Sequence, residues 1–434
     1  SSSFTGKNPG KTGIYGQSKV LPTYEHKPFT ALDRASKDLW EILSDMNKKC
    51  IIVGLPYTYP PQEINGVIIS GVPKGTGYPE NLVKKLLKKY NYRICYEIRG
   101  EEKVEVYKQL IIDRFKIAEE ILLSEEWDLG MVGFEHLENA HHYLLENHPE
   151  KVNEIYRFFD KKLKEFIDKV STKCSINTIF LYSDHGFRIY PKRFFIYRWL
   201  YKKGLVCFEH SKDKLIRERQ GLELNRLRTL SKNALEYYIR LLIYKVKPFI
   251  KNLFPHIKSP NFLEKTVLTL PEISYFRPAL RYETSKVIVH HSPGGIFINQ
   301  KDKFIKGVIS HEEYESFREK LIEEMAKIVD PYTGEKIMEW VRRKEDVFSG
   351  AFLDTLPDII YQCNENYAVD FSLSNLNGNI VENTPFATHH YEGFFGAIGK
   401  NIKNTMGLSF NIYDIMPTIL YSLGLPIPHG WMEK

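Results

Sequence analysis

The sequence has few cysteines, and none of them close together. Cys50, Cys95, Cys174, Cys207 and Cys363 are scattered, odd in number and never in a C-x-x-C arrangement. That argues against a disulfide framework and a thiolate zinc site, and for a reducing compartment. No apolar run is long enough to span a bilayer and no signal peptide is visible, so a cytoplasmic location is expected. Internal repeats and low-complexity tracts are also missing. A strong charge imbalance is absent too: +7 is modest for 434 residues, so anionic partners are allowed without being required. Finally, the chain opens at Ser1 without Met and runs directly into Phe4-Thr5-Gly6, and residues are expected upstream.

What is present is an alternation of buried strands and helices. Strands are predicted over 50–54, 66–70, 92–98, 128–134 and 177–182, from short runs of Ile, Val, Leu and aromatic residues. Helical spacing of apolar residues predicts helices over 30–47, 80–89, 101–124 and 150–169. Such an order implies an α/β fold, a mostly parallel central sheet with helices on both faces. From Tyr190 the pattern becomes helical and basic, with Arg217, Arg219, Arg226, Arg228, Lys232, Lys245, Lys247, Lys251 and Lys258 among Leu, Ile, Tyr and Phe. Residues 190–279 therefore read as a basic helical insertion or cap, dividing one catalytic domain into 1–189 and 280–434. The insertion is a solvated helical face, a cap over a phosphate-binding cleft, or a weak contact surface for acidic membrane; Pro248 and Pro255 break any single amphipathic helix there. Beyond it, strands are predicted over 287–290, 295–299, 358–362, 367–371 and 394–399, and helices over 311–328 and 411–423.

Three groups of residues carry chemistry. Ser183-Asp184-His185-Gly186 follows a buried strand, and a carboxylate beside an imidazole on a Gly-ended turn can face one metal ion; the same turn is also explained by Asp capping alone. Glu138 and His142 are four apart, on one face if the segment is helical. His389, in Thr388-His389-His390-Tyr391-Glu392-Gly393, could add a third ligand. Carboxylates and imidazoles without thiolates suit a two-metal hydrolase.

In this order the blocks resemble the alkaline phosphatase superfamily, in its type I phosphodiesterase and nucleotide pyrophosphatase branch. Ser3-Phe4-Thr5-Gly6-Lys7-Asn8-Pro9-Gly10 is similar to the end of that family's nucleophile helix, and Tyr182-Ser183-Asp184-His185-Gly186 to its paired ligands. Thr388 to Gly393 resembles its last histidine, and Ile412 to Leu420 with Leu423-Gly424-Leu425-Pro426 its closing helix. The resemblance implies that Asp184 and His185 bind one zinc and that Glu138, His142 and His389 bind the other, with manganese the alternative metal. Glu138 stands where the family has Asp, Thr12 where relatives usually carry His, and His141 is a rival to His142. The nucleophile, a Thr or Ser, and the first metal-binding Asp are expected upstream of Ser1; Ser1, Ser2 and Ser3 fall within the helix itself. Asn8 is a candidate phosphate contact. The implied activity is hydrolysis of a small phosphodiester or nucleotide pyrophosphate through a phospho-enzyme, with no specific nucleic acid as partner. A phosphomutase or phosphotransferase, or a catalytically impaired scaffold, would share the fold. A sulfatase would need a cysteine-containing signature that is not seen.

Overall fold

The computed structural model describes residues 2–72, 74–94, 98, 100, 102–208, 280–291, 294–400 and 402–427. In chain order the first elements are α1 (Ser2–Thr5), α2 (Pro9–Thr12), a hairpin of β1 (Ser18–Val20) and β2 (His26–Pro28), and α3 (Leu39–Asp45). Next come β3 (Cys50–Leu55), β4 (Gly66–Ser70), β5 (Gly77–Tyr78), α4 (Glu80–Lys89), α5 (Val104–Ser124) and β6 (Leu129–Val132). They are followed by α6 (His136–Leu144), α7 (Pro149–Ser171), β7 (Thr178–Tyr182), β8 (Gly186–Tyr190), β9 (Lys192–Phe195) and α8 (Ile196–Lys202). The later part holds β10 (Val287–His291), β11 (Gly294–Ile298), α9 (His311–Ala326), β12 (Met338–Arg343), α10 (Lys344–Val347), β13 (Ile359–Cys363) and β14 (Tyr367–Asp370). β15 (Val381–Glu382), β16 (Phe386–His390), β17 (Phe395–Gly399) and α11 (Ile415–Ser422) complete it.

β3 is the centre of the first sheet, whose order is β5-β4-β3-β6, with β4 and β6 parallel to it and β5 antiparallel to β4. Every residue of β3 is buried, which is what a strand covered on both faces requires. Its alternating side chains divide the packing. Ile51 and Val53 join Val67 and Ile69 of β4 under α4 and α5, through Val83, Leu86, Ile117, Ala118 and Ile121. Cys50, Ile52 and Ile68 face Phe4, Leu39, Trp40 and Leu43 together with Ile415, Met416, Ile419 and Leu420 of α11. Helices thus lie on both faces, the expected α/β layering, while the remaining sheets are mostly antiparallel. β10-β11-β13-β12 is antiparallel throughout, β14 is parallel to β9, and β7 with β17 and β8 with β16 form two antiparallel pairs.

Three expectations change. The helix predicted over 30–47 is only α3, because Asp33 Oδ2 accepts from the backbone and hydroxyl of Thr30 and closes a 3-10 turn instead. Asp38 then starts α3 afresh in a reciprocal cap with Glu41, leaving Leu32 exposed. The strand predicted over 92–98 is not formed at 92–94, where the Tyr92 hydroxyl donates to Ser70 O at 2.9 Å; residues 95–97 and 99 lie outside the described residues. Residues 190–208, assigned from the sequence to the insertion, form β9 and α8. Phe194, Ile196, Trp199, Leu200 and Val206 pack with Val287, Ile296, Leu321 and Ile359 in a second core. The basic residues of 209–279 lie outside the described residues. Among the described residues no helix is long and apolar enough to cross a membrane.

Candidate metal centre

Segments from opposite ends of the chain build the site. In α6, Glu138 and His142 share one face, while Ala140 and Leu144 turn the other into the core between α5 and α7. The Ser183-Asp184-His185 turn joins β7 to β8. It is tied down at Ser183, whose N–H donates to Phe394 O and whose Oγ accepts from the Phe394 N–H, both at 2.9 Å. A Cβ at Gly186 would lie 2.0 Å from Glu392 O, so only glycine lets the two segments approach. β8 pairs with β16 in a register that sets Phe187 opposite His389 and Gly186 opposite His390. Opposed residues share a face, as do residues two apart, which gathers His185, Phe187 and His389 on one side and turns His390 to the other.

On that shared face the polar groups converge. Glu138 Oε1 is 3.1 Å from His389 Nε2, 3.6 Å from His142 Nε2 and 3.9 Å from His185 Nε2. His142 Nε2 and His389 Nε2 are 3.0 Å apart, and the His185 and His389 rings stack with centroids 4.2 Å apart. Phe187 meets both His142 and His389 edge-on. His185 Nδ1 is 3.0 Å from Gly186 O; a carbonyl only accepts, so Nδ1 carries a proton and Nε2 is the nitrogen turned toward Glu138. Burial works to raise the Glu138 pKa, but hydrogen bonds with His142 and His389 and the nearby charge of His389 and His185 outweigh it. The carboxyl is held well below the usual carboxylate range.

One carboxylate oxygen with imidazole nitrogens and no thiolate is a donor set that fits zinc or manganese. Two nitrogens bound tetrahedrally to one zinc stand about 3.3 Å apart. The His142 and His389 nitrogens, 3.0 Å apart, are close to that spacing. Glu138, His185 and His389 form a group of three whose ligating atoms all lie within 4.8 Å of one another, and Glu138, His142 and His389 lie closer still. The resemblance pairs His185 with Asp184; the geometry also brings His185 to Glu138 and His389. Asp184 itself stands at the rim, its side chain 64% exposed and its Oδ1 3.8 Å from His185 Nε2.

His141, the rival to His142, faces elsewhere. Its ring stacks on Phe187 at 5.1 Å and lies against Tyr156, and burial together with the neighbouring His142 lowers its pKa to about 4. Asn8 caps α2, its Oδ1 accepting from the Gly10 N–H at 2.8 Å and its Nδ2 donating to Ser349 Oγ at 3.3 Å. Thr12 is fully buried, with Oγ1 accepting from the Ile14 N–H. Ser3, also buried, hydrogen-bonds Tyr182.

A sequence model of the type I phosphodiesterase / nucleotide pyrophosphatase family matches residues 1–392. The chain belongs to this family. It is therefore a hydrolase acting on phosphoester bonds. Comparison with curated proteins finds no match. Among solved structures, a similar one is phosphonoacetate hydrolase from Sinorhizobium meliloti 1021 in complex with phosphonoformate. The TM-score is 0.52 at 13% identity, covering 97% of this chain and 83% of that one. At that identity the likeness speaks to the fold, which is alkaline phosphatase-like. In this phosphodiesterase-family chain the sequence reading had missed Phe187 as the brace of the cluster. The alternation Phe187, Ile189 after Gly186 was the available signal for β8.

Proposed function

We propose that this family member hydrolyses a phosphodiester or a nucleotide pyrophosphate with two divalent ions, zinc or, as the alternative, manganese. The observation that carries the reading is the meeting of Glu138 Oε1 with His142, His185 and His389 at 3.1–3.9 Å. A bound ion would supply Lewis-acid stabilisation of phosphoryl oxygens. The chain's own residues prepare for it. Glu138 is kept anionic, and Gly186 O engages His185 Nδ1, which leaves Nε2 as the nitrogen that would face an ion. Phe187 fixes the rings of His142 and His389. Asp184 and His185 are assigned to the second ion. Attack by a Thr or Ser hydroxyl to give a phospho-enzyme is part of the same proposal and is supported by the resemblance; Ser3 and Thr5 are buried in α1 and are not that hydroxyl. The basic stretch within 190–279 is assigned to contact with the negative charges of the substrate.

The test is metal content of the purified protein alongside turnover of bis(p-nitrophenyl) phosphate, p-nitrophenyl phosphate and phosphonoacetate. About two equivalents of metal and fastest turnover of the diester are expected from the two-ion reading. No metal with no turnover would sink it. Preferred cleavage of phosphonoacetate would replace the substrate class and leave the ion site standing.

A further inference from the structure

The strongest feature outside the converged histidines is an arginine buried at the strand ends behind them. Arg114, on α5, is 1% exposed. Its Nη1 donates to two backbone carbonyls, Gly133 O at 2.5 Å and Gly54 O at 3.3 Å. Gly133 directly follows β6, and Gly54 lies in β3. Nη2 stands 3.7 Å from Glu135 Oε1, itself buried, and the guanidinium lies over the Tyr92 ring at 4.6 Å. Space has been left for it: Gly54 has φ +70°, and a Cβ there would fall 1.6 Å from Arg114 Nη1.

Glu135 is the N-cap residue of α6, one turn before Glu138 and two before His142. A guanidinium is planar and rigid, so Nη1 ties the two strand ends by hydrogen bonds while the 3.7 Å ion pair of Nη2 with Glu135 draws the helix start to them. Besides that strut, α6 is held by apolar contacts through Leu137, Ala140 and Leu144, by His136 Nε2 at 3.0 Å from Arg93 O and by the His141 ring against Tyr156, none of which touches the β3 and β6 strand ends. We infer that Arg114, acting through Glu135, is the positioning residue that aims Glu138 and His142 at His389 and so sets the metal affinity of the site. The inference rests on the metal-site reading proposed above.

Arg114→Lys keeps a charge and loses the fork. Zn2+ affinity by competition with a chromophoric chelator, the visible spectrum of the Co2+ form and the melting of metal-free protein would be measured on wild type, Arg114→Lys, Glu135→Gln and Glu138→Gln. The two positioning variants are expected to bind Zn2+ roughly tenfold more weakly, with an altered Co2+ spectrum. Wild-type affinity and spectrum in both, whatever their melting temperatures, would overturn the inference, since a merely structural arginine shifts melting alone. If Arg114→Lys does not fold, Glu135→Gln decides the matter, being of equal size. A wild-type protein that takes up no ion overturns the metal-site reading and this inference together. Loss of binding in Glu138→Gln with full binding in the two positioning variants overturns only this one.

Discussion

His142 Nε2 and His389 Nε2 lie 3.0 Å apart although 247 residues separate them in the chain. One comes from a helix that follows a parallel strand, the other from a strand that pairs with β8. Glu138 Oε1 lies against both. The two segments meet at this point through Glu138, the two imidazoles and the Phe187 ring braced against both, so whatever occupies the site also clamps α6 to β16.

Chelation should therefore act on stability as well as on turnover. Treatment with EDTA and dialysis is expected to abolish diester hydrolysis and lower the melting temperature. Each should return on adding Zn2+ or Mn2+, the stabilisation growing with the logarithm of free ion concentration. His389→Ala should lose most of this ion-dependent shift, measured by thermal unfolding with and without metal.

Gly186→Ala tests the close approach of the Ser183-Asp184-His185-Gly186 turn to Glu392. The added Cβ would stand 2.0 Å from a backbone carbonyl, which cannot swing aside as a side chain can. A destabilisation of about 3 kcal/mol is expected by urea unfolding. Activity should fall further than stability accounts for, because His185 moves with the turn.

His136 gives an acid limb to stability. Burial first, and the charge of Arg114 second, lower its pKa from 6.5 to about 3, so the folded protein holds it neutral while the unfolded chain takes up a proton near 6.5. Its contribution is complete above pH 6.5 and is lost as pH falls toward 3. In that window unfolding free energy should drop by about 1.4 kcal/mol per pH unit from this group. His136→Gln should flatten that part of the profile in urea titrations at pH 7.5, 5.5 and 4.

The second core contains an ion pair that can be dissected in the same way. Asp330 has a fully buried side chain, its Oδ2 2.8 Å from Lys192 Nζ and 2.9 Å from the Tyr367 hydroxyl. Lys192→Met leaves that carboxylate with its hydroxyl and backbone partners but no counter-charge. A loss of about 2 kcal/mol is expected, partly recovered by adding Asp330→Asn. Chemical denaturation of the two variants and the pair checks it.

Much of the scaffold could be read from residue order, for stated reasons. β3 was legible because both of its faces are buried, so Cys50 to Leu55 is an unbroken apolar run. Glu138 and His142 were legible as neighbours because one helical turn brings i and i+4 together. The approach of His389 was not, since it depends on the Phe187–His389 register, and β8 is a short, half-exposed strand with a weak pattern. Helix α3 was overextended because apolar spacing took no account of Asp33 and Asp38, whose side chains bond the backbone and divide the segment. Arg114 gave no sequence signal at all: a lone arginine in a long helix reads as a solvated residue.

The neighbouring His390 gives the Gly186 contact a further meaning. If β16 slipped by one residue along β8, His390 would arrive where His389 now stands and offer the same kind of nitrogen. A bound ion would accept either imidazole and so could not proofread the pairing. What the present alignment does require is glycine at 186, where the carbonyl of Glu392 occupies the space of a Cβ. The pairing that delivers His389 rather than His390 thus tolerates only a hydrogen atom at a point where every other residue has a carbon.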